Sequence, residues 1–332
     1  MKRALGLALA VSVVCIGVGL VLRRTPQQEG QRRPSAVTPS STVTQPVTQP
    51  VQTMDEALTL QVLMADGTVE AMSLSQYLPG VLLAEMPSSF EREARMAQAV
   101  VSRTYALHRR STGKHEGADV CASASCCQAW TDPSGYPQES VQGAREAVLE
   151  TDGLVLVYEG RLIDATFFSS SGGRTEAAVA VWGSDVPYLQ AVDSPGEEVP
   201  DHEDTVTFSV EEFAALIQGA APAADLTGLP AEWFGDVTYT DGGGVDRMEI
   251  GGTAFSGKTL RGLLGLRSTS FTVKVDGDLI QIQTQGYGHR VGMSQYGAQA
   301  MAQEGKTFSE ILIHYYTGVS LNYYIEAEDF SQ

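Results

Sequence analysis

Apolar and polar positions alternate through residues 58–64 and 68–74, on either side of Asp66-Gly67, which is the pattern of two strands joined by a two-residue turn. The apolar stretch from Tyr77 to Leu83 predicts a short helix or buried turn. Ser88-Ser89-Phe90-Glu91 has the spacing of a capping box, and Ala94, Ala97, Val101 and Tyr105 recur at helical spacing behind it. One long helix is therefore expected from Phe90 to about Arg110, small-sided and packed in the core. A second is expected over 139–150, stopped near Gly153. Leu154–Tyr158 and Arg161–Phe168 read as strands around Glu159-Gly160, and Ser169-Ser170-Ser171-Gly172-Gly173 as a turn with free hydroxyls. Residues 196–204 are acidic and loop-like, 209–218 helical, and Gly-rich strands surround 235–250. A hairpin follows over Thr272–Val275 and Leu279–Thr284, then a helix from Ser294 to Gln303, and a last helix capped at Thr307 and running to Tyr316. Strands and helices mix without regular alternation, so the expected class is α+β, two-lobed around a substrate groove, with a second lobe or insertion near 200–270.

The N-terminus has a different pattern. Lys2-Arg3 precedes unbroken apolar residues from Ala4 to Leu22, closed by Arg23-Arg24. That length matches a bilayer core, and no small-x-small exit marks a signal-peptide cleavage site. Residues 1–24 are expected to form an uncleaved single-pass membrane anchor, with the large domain behind it extracytoplasmic. Residues 25–53 are rich in Pro, Gln and Thr and are expected to be a disordered tether before a domain over 54–332.

Charge narrows the partner. The chain carries a net charge of −18, which opposes binding to a phosphate backbone. A neutral or mixed-charge polymer such as a glycan is compatible with it. Cysteine usage points to a metal. His115, Cys121, Cys126 and Cys127 give the four nitrogen and sulfur ligands of a structural zinc site, and a disulfide from Cys121 to either neighbour is the alternative.

Glu85 follows Val81, Leu82 and Leu83 and precedes Met86, an apolar setting that raises a carboxyl pKa as a general acid requires. A helix start just after it would pull the other way.

Several blocks then resemble the stage II sporulation protein D family. They are Leu78-Pro-Gly-Val-Leu-Leu-Ala-Glu85-Met-Pro, Ala97-Gln-Ala-Val-Val-Ser-Arg-Thr-Tyr105-Ala and Phe168-Ser-Ser-Ser-Gly-Gly-Arg-Thr-Glu176. Val181-Trp-Gly, Pro187-Tyr-Leu and Lys258-Thr-Leu-Arg-Gly-Leu-Leu-Gly-Leu-Arg-Ser268 follow, then Gly288-His-Arg-Val-Gly-Met-Ser-Gln-Tyr-Gly-Ala298 and His314-Tyr-Tyr-Thr-Gly318. They stand in family order over about residues 54–322.

The resemblance implies a membrane-anchored lytic transglycosylase facing the cell wall. Such an enzyme cuts peptide-free peptidoglycan strands between N-acetylmuramic acid and N-acetylglucosamine and leaves 1,6-anhydromuramic ends. It implies forespore engulfment as the setting, with a wall amidase and a membrane protein as partners. It makes Glu85 the catalytic acid and implies zinc at the cysteine cluster. It also brings Arg103, Tyr105, Ser169, Ser170, Ser171, Gly172, Gly173, His289, Ser294, Gln295 and Tyr296 forward as groove residues. Trp182 reads as core or as a sugar-stacking platform. Arg290 stands where the family pattern has glycine, which singles out the loop after His289.

Three rival readings remain. A glycan-binding activator of an amidase needs no catalysis. A zinc amidase needs an open metal position. A hydrolytic muramidase needs a second carboxylate, for which Asp164 and Glu176 are near in sequence.

Overall fold

The computed structural model describes residues 52–194, 196–197, 199 and 203–327. The expected anchor over 1–24 and nearly all of the expected tether lie outside the described residues. Among the described residues no helix is long and apolar enough to cross a membrane.

In chain order the elements are α1 (Met54–Ala57), β1 (Thr59–Leu63), β2 (Val69–Ser73), α2 (Leu74–Glu85), α3 (Arg92–Thr112), β3 (Val120–Cys121), α4 (Gln138–Glu150), β4 (Leu154–Tyr158), β5 (Arg161–Leu162), β6 (Phe167–Phe168) and α5 (Ala178–Trp182). There follow β7 (Glu203–Ser209), α6 (Val210–Ala220), β8 (Phe234–Tyr239), β9 (Val245–Ile250), β10 (Thr253–Ser256), α7 (Gly257–Leu263), β11 (Phe271–Asp276), β12 (Leu279–Gln285), β13 (Met293–Ser294), α8 (Gln295–Gln303), α9 (Phe308–Tyr315) and β14 (Ser320–Tyr323). The class is α+β, with small sheets ordered β2-β1-β3, β14-β4-β5, β10-β9-β8 and β11-β12-β7, and a parallel pair β6-β13.

Helix α3 is the axis of the first lobe. Its Met96, Ala99, Ala106 and Leu107 join one apolar cluster with α2, α4 and β1, while Ala94, Ala97, Val100 and Val101 join another with β4, α8 and α9. Alanine on both faces lets neighbours approach from two sides, and each buried Leu or Val beside it contributes about 1.5–3 kcal/mol. Gly113 ends the helix in the left-handed conformation, its N–H donating to Arg109 O.

The expected capping box did not form. Phe90 N–H instead donates to Pro87 O in a tight turn, and α3 starts at Arg92 with no side-chain cap. The strand expected over 161–168 is broken, because Thr166 N–H turns back to Asp164 O and Phe167-Phe168 pairs with Met293-Ser294 instead.

A separate apolar cluster, from Val206 to Ile282, is built by α6, α7 and strands β7 to β12. The expected acidic loop over 196–204 gives way at Glu203 to β7, which pairs along β12 from Glu203↔Gln285 to Ser209↔Leu279. After β6, α5 and Leu189 still pack in the first lobe, the second lobe begins with β7, and the chain returns at β13, which pairs with β6 as Phe167↔Met293 and Phe168↔Ser294.

Candidate active site

Helix α2 places Glu85. Ser73 caps its start with a reciprocal Gln76 box, and its inward side, Leu74, Tyr77, Leu78 and Val81, is wholly buried. Glu85 is the last residue of α2, so its carboxyl sits at a helix C-terminus, and Gln295, the first residue of α8, reaches it from the other side. The expected neighbour, the start of α3, is thus replaced by two others: the carbonyl end of α2, which favours the neutral acid, and the start of α8, which favours the anion. Gly80 lets the segment after the cysteine cluster close on α2. A Cβ there would lie 2.3 Å from Trp130 Nε1 and 2.6 Å from Thr131 O. That approach brings Ala129 N–H to donate to Glu85 Oε1. Burial raises the Glu85 carboxyl above its ordinary 4.5, against opposing hydrogen bonds from Ala129 N–H and the Gln295 amide.

Glu85 opens into a cavity of about 610 Å³ at the meeting of α2, α3, β6, α5 and the loop before β13. Tyr105, Ser169, His289 and Gln295 line it, with Cys126 and Cys127 at one side and Trp182 and Tyr287 at another. Trp182 is 41% exposed and Tyr287 55%, so both rings are part open to solvent, with the Arg267 guanidinium over the Tyr287 ring. Burial pushes the Tyr105 phenol up to about 12, and the Arg109 guanidinium lies 4.7 Å from its ring centre. His289 packs against Phe168 and Trp182 and takes Val291 N–H on Nδ1. Burial and the nearby Arg261 guanidinium hold it down at about 4, so it is neutral at neutral pH.

Glu85 is the one carboxylate among the described residues lining this cavity. Asp164 is held by both oxygens to Arg109 at 2.9 Å. Glu176 is buried against Arg290. A larger cleft of about 880 Å³ runs between α1, α2 and α4, but its inner acids are already engaged. There Asp55 binds Arg103, and Asp152 accepts from the Met54 and Asp55 N–H groups.

Several expected groove residues lie elsewhere. Arg103 is fully buried and donates to Asp55, Val148 O and Leu154 O, tying α1, α4 and β4 to α3. It cannot reach a sugar. The serine turn is not free either. Ser170 and Ser171 are buried, and Ser170 exchanges backbone hydrogen bonds with Tyr287. Ser171 donates through N–H and Oγ to Glu197. Gly172 N–H also donates to Glu197, and Gly172 and Gly173 supply the positive φ that the turn needs. Ser294 is buried, caps α8 and donates to Glu197. Tyr296 packs on Phe90, 5.0 Å between ring centres, outside the cavity lining.

Glu197 escaped the sequence reading. It accepts from Ser171, Gly172, Ser194 and Ser294 and so fixes both the turn after Ser169 and the start of α8, next to Gln295. Arg290 is a second case. It takes the left-handed φ of 67° that a glycine would adopt freely. Its guanidinium donates to Arg174 O, Gly242 O and Glu176 Oε1, joining the His289 loop to the second lobe.

The ligand atoms of His115, Cys121, Cys126 and Cys127 lie within 4.8 Å of one another, with His115 Nε2 3.2 Å from Cys127 Sγ, and the three cysteines are unbridged. A tetrahedral zinc keeps such atoms about 3.5–3.8 Å apart, so the donor set and spacing fit that ion.

The family model for stage II sporulation proteins matches residues 65–158. Stage II sporulation protein D of Bacillus amyloliquefaciens is 37% identical over 278 residues, covering 80% of this chain and 78% of that protein. The protein of the same name from Bacillus subtilis (strain 168) is 32% identical over 336 residues, covering 95% of each. The chain belongs to the stage II sporulation protein D family. It is also 31% identical to an amidase enhancer of Bacillus subtilis (strain 168), over 74% of this chain and 40% of that protein. Within the family match fall α2, α3 and the cysteine cluster, so Glu85 and the four candidate ligands lie in the matched segment. The His289 loop lies beyond the matched segment and lines the same cavity.

Proposed function

We propose that this family member is a lytic transglycosylase that cuts peptide-free peptidoglycan strands, with Glu85 as the sole acid and base. The observation that carries the reading is a single carboxyl group, raised by burial, in a cavity with no second carboxylate among the described residues. Ordinary glycosidases need two carboxyl groups at a set separation. Here neutral Glu85 donates its proton to the leaving glycosidic oxygen as the anomeric C–O bond breaks. The resulting carboxylate takes the proton of the sugar's own 6-hydroxyl, whose oxygen bonds to the anomeric carbon. The product is a 1,6-anhydro ring and no water is consumed. Exposed Trp182 and Tyr287 supply stacking faces for sugar rings.

Zinc fits the closed His115, Cys121, Cys126 and Cys127 set as a structural clamp. Those four side chains would hold the ion, and the loop that carries Ala129 to Glu85 would be braced through them. The setting we propose is the wall side of the membrane during engulfment, with an N-terminal anchor and with a wall amidase and a membrane protein as partners.

Mass analysis of products from peptide-free strands tests the chemistry. Anhydromuramic ends from the wild-type chain, and none from Glu85→Gln, are expected. Hydrolysed reducing ends would refute the mechanism. The similarity to an amidase enhancer favours a second reading, a non-catalytic activator. Stimulation of an added amidase with no cleavage by the pure chain would select it. Metal analysis that finds no zinc in the purified chain would overturn the clamp.

A further inference from the structure

On a chain of net charge −18, two cations next to the active cavity lack anionic partners. Lys258 and Arg261 stand three residues apart on α7, hence on one face of it. They line a pocket of about 280 Å³ that shares Trp182 and His289 with the Glu85 cavity. No carboxylate among the described residues lies within ion-pair distance of either. The acids lining this pocket have other partners: Glu176 pairs with Arg290 through Oε1, and exposed Asp246 takes the Thr238 hydroxyl. Arg261 is positioned through one atom, its Nε donating to Leu266 O at 3.4 Å. Among the described residues nothing accepts from its two Nη groups, the fork that matches a carboxylate. Lys258 Nζ has only Val181 O, at 3.5 Å. Arg261 is half-buried, and burial lowers its pKa, which marks a guanidinium partly stripped of water and without compensation from an acid.

We propose that Lys258 and Arg261 form a subsite for a carboxylate carried on the sugar, namely the lactyl carboxylate that a muramic residue bears once its peptide is gone. This rests on the glycan reading above and deepens it. A strand still bearing peptide has an amide at that position. It offers no charge to Arg261 and brings a bulky chain to a pocket of about 280 Å³. A free lactyl carboxylate gains a charge-assisted pair with the Arg261 fork, with Lys258 as a second cation. The subsite therefore selects peptide-free strands by what peptide removal creates, beyond any relief of crowding.

The test is binding to the full chain carrying Glu85→Gln, which keeps ligands intact. Four ligands of equal length are compared: a strand with free lactyl acids, the same strand with lactyl amides, a strand with intact peptides, and an N-acetylglucosamine oligomer. Free acids are expected to bind about 10-fold more tightly than lactyl amides, equivalent to about 1.4 kcal/mol. Adding Arg261→Ala should erase that difference and leave the N-acetylglucosamine oligomer unchanged, which also reports intact folding. Arg261→Lys should restore part of it. Discrimination that survives Arg261→Ala overturns the proposal. So does equal binding of peptide-bearing strands, which would place the recognised carboxylate on the peptide. Acid-dependent binding without anhydro products from the wild-type chain would instead sink the enzyme reading and leave the subsite standing.

Discussion

Arg290 offers the sharpest test of how the His289 loop is held. It combines two costs that act in opposite directions. Its backbone φ of 67° strains a residue with a Cβ by about 1–2 kcal/mol. Its guanidinium is 1% exposed and paired with Glu176, also 1% exposed. Removing one member of a buried pair costs about 3–5 kcal/mol, because the other charge stays buried. Glu176 would still accept from Thr240 Oγ1 and Gly244 N–H through one oxygen, while its Oε2 has no partner even now. Arg290→Ala keeps the strain and loses the pair, so about 4 kcal/mol is expected. Arg290→Gly loses the pair but relieves the strain, so its cost should be about 1–2 kcal/mol smaller.

Glu176→Gln completes the cycle. With the buried charge gone, Arg290→Gly should cost about 2 kcal/mol less than in the wild-type background, a coupling within the range for contacting residues. Equilibrium urea unfolding followed by tryptophan fluorescence measures all five proteins, wild type and double variant included, since Trp130 and Trp233 report different apolar clusters. Equal losses for the alanine and glycine variants would refute the strain argument. A coupling below about 0.5 kcal/mol would refute the ion pair as the joint between the loop and the second lobe. The loop also carries Tyr287 and His289 to the cavity, so weaker glycan binding should accompany Arg290→Gly.

Three further outcomes follow from single residues. Because burial raises the Glu85 carboxyl, its folded pKa exceeds the unfolded one, and its stability contribution is complete below about pH 4.5 and lost as pH rises through the folded value. Glu85→Gln should therefore match wild-type stability at pH 4 and exceed it at pH 7, while glycan cleavage falls at least ~100-fold; thermal unfolding across pH checks the first and product analysis the second. Glu197→Gln replaces a carboxylate acceptor with an amide before two N–H and three hydroxyl donors, and should cost about 2 kcal/mol in urea unfolding and weaken glycan binding. Arg103→Ala strands a buried Asp55, so about 3–5 kcal/mol of stability should go, with the product chemistry of the folded fraction unchanged in mass analysis.

Arg103 and Tyr105 explain where the sequence was legible and where it was not. They are two positions apart on α3, so they point about 200° apart around the helix. On a helix with one apolar face, periodicity would have shown which of them is inside. Helix α3 is buried on both faces against two clusters, so small apolar residues occur all round it and the pattern loses its direction. The serine turn failed for a related reason. Hydroxyls followed by two glycines look solvated, yet Ser171 and Ser294 both donate to Glu197, 26 positions from the one and 97 from the other. Nothing local to Pro195-Gly196-Glu197 announces that. The hairpin at Asp276-Gly277 and the helix behind Thr307 were legible because their signals are local, a turn dipeptide and a capping box.

Glu85 was expected just before a helix start, and the structure puts it at the end of α2 instead. The apolar run that marked it ends α2, two residues beyond the expected stop, so the carboxyl shares its end of the helix with the last carbonyls of α2. A general acid needs that sign of field. The same residue before α3 would meet N–H groups that favour its anion. Ala129 N–H and Gln295 then act as a counterweight. In the proposed reaction they stabilise the carboxylate left once the proton has gone, the state that takes a proton from the 6-hydroxyl. One carboxyl can serve as acid and then base only if both of its forms are supported. Burial with the α2 terminus supports the first, and these two donors support the second.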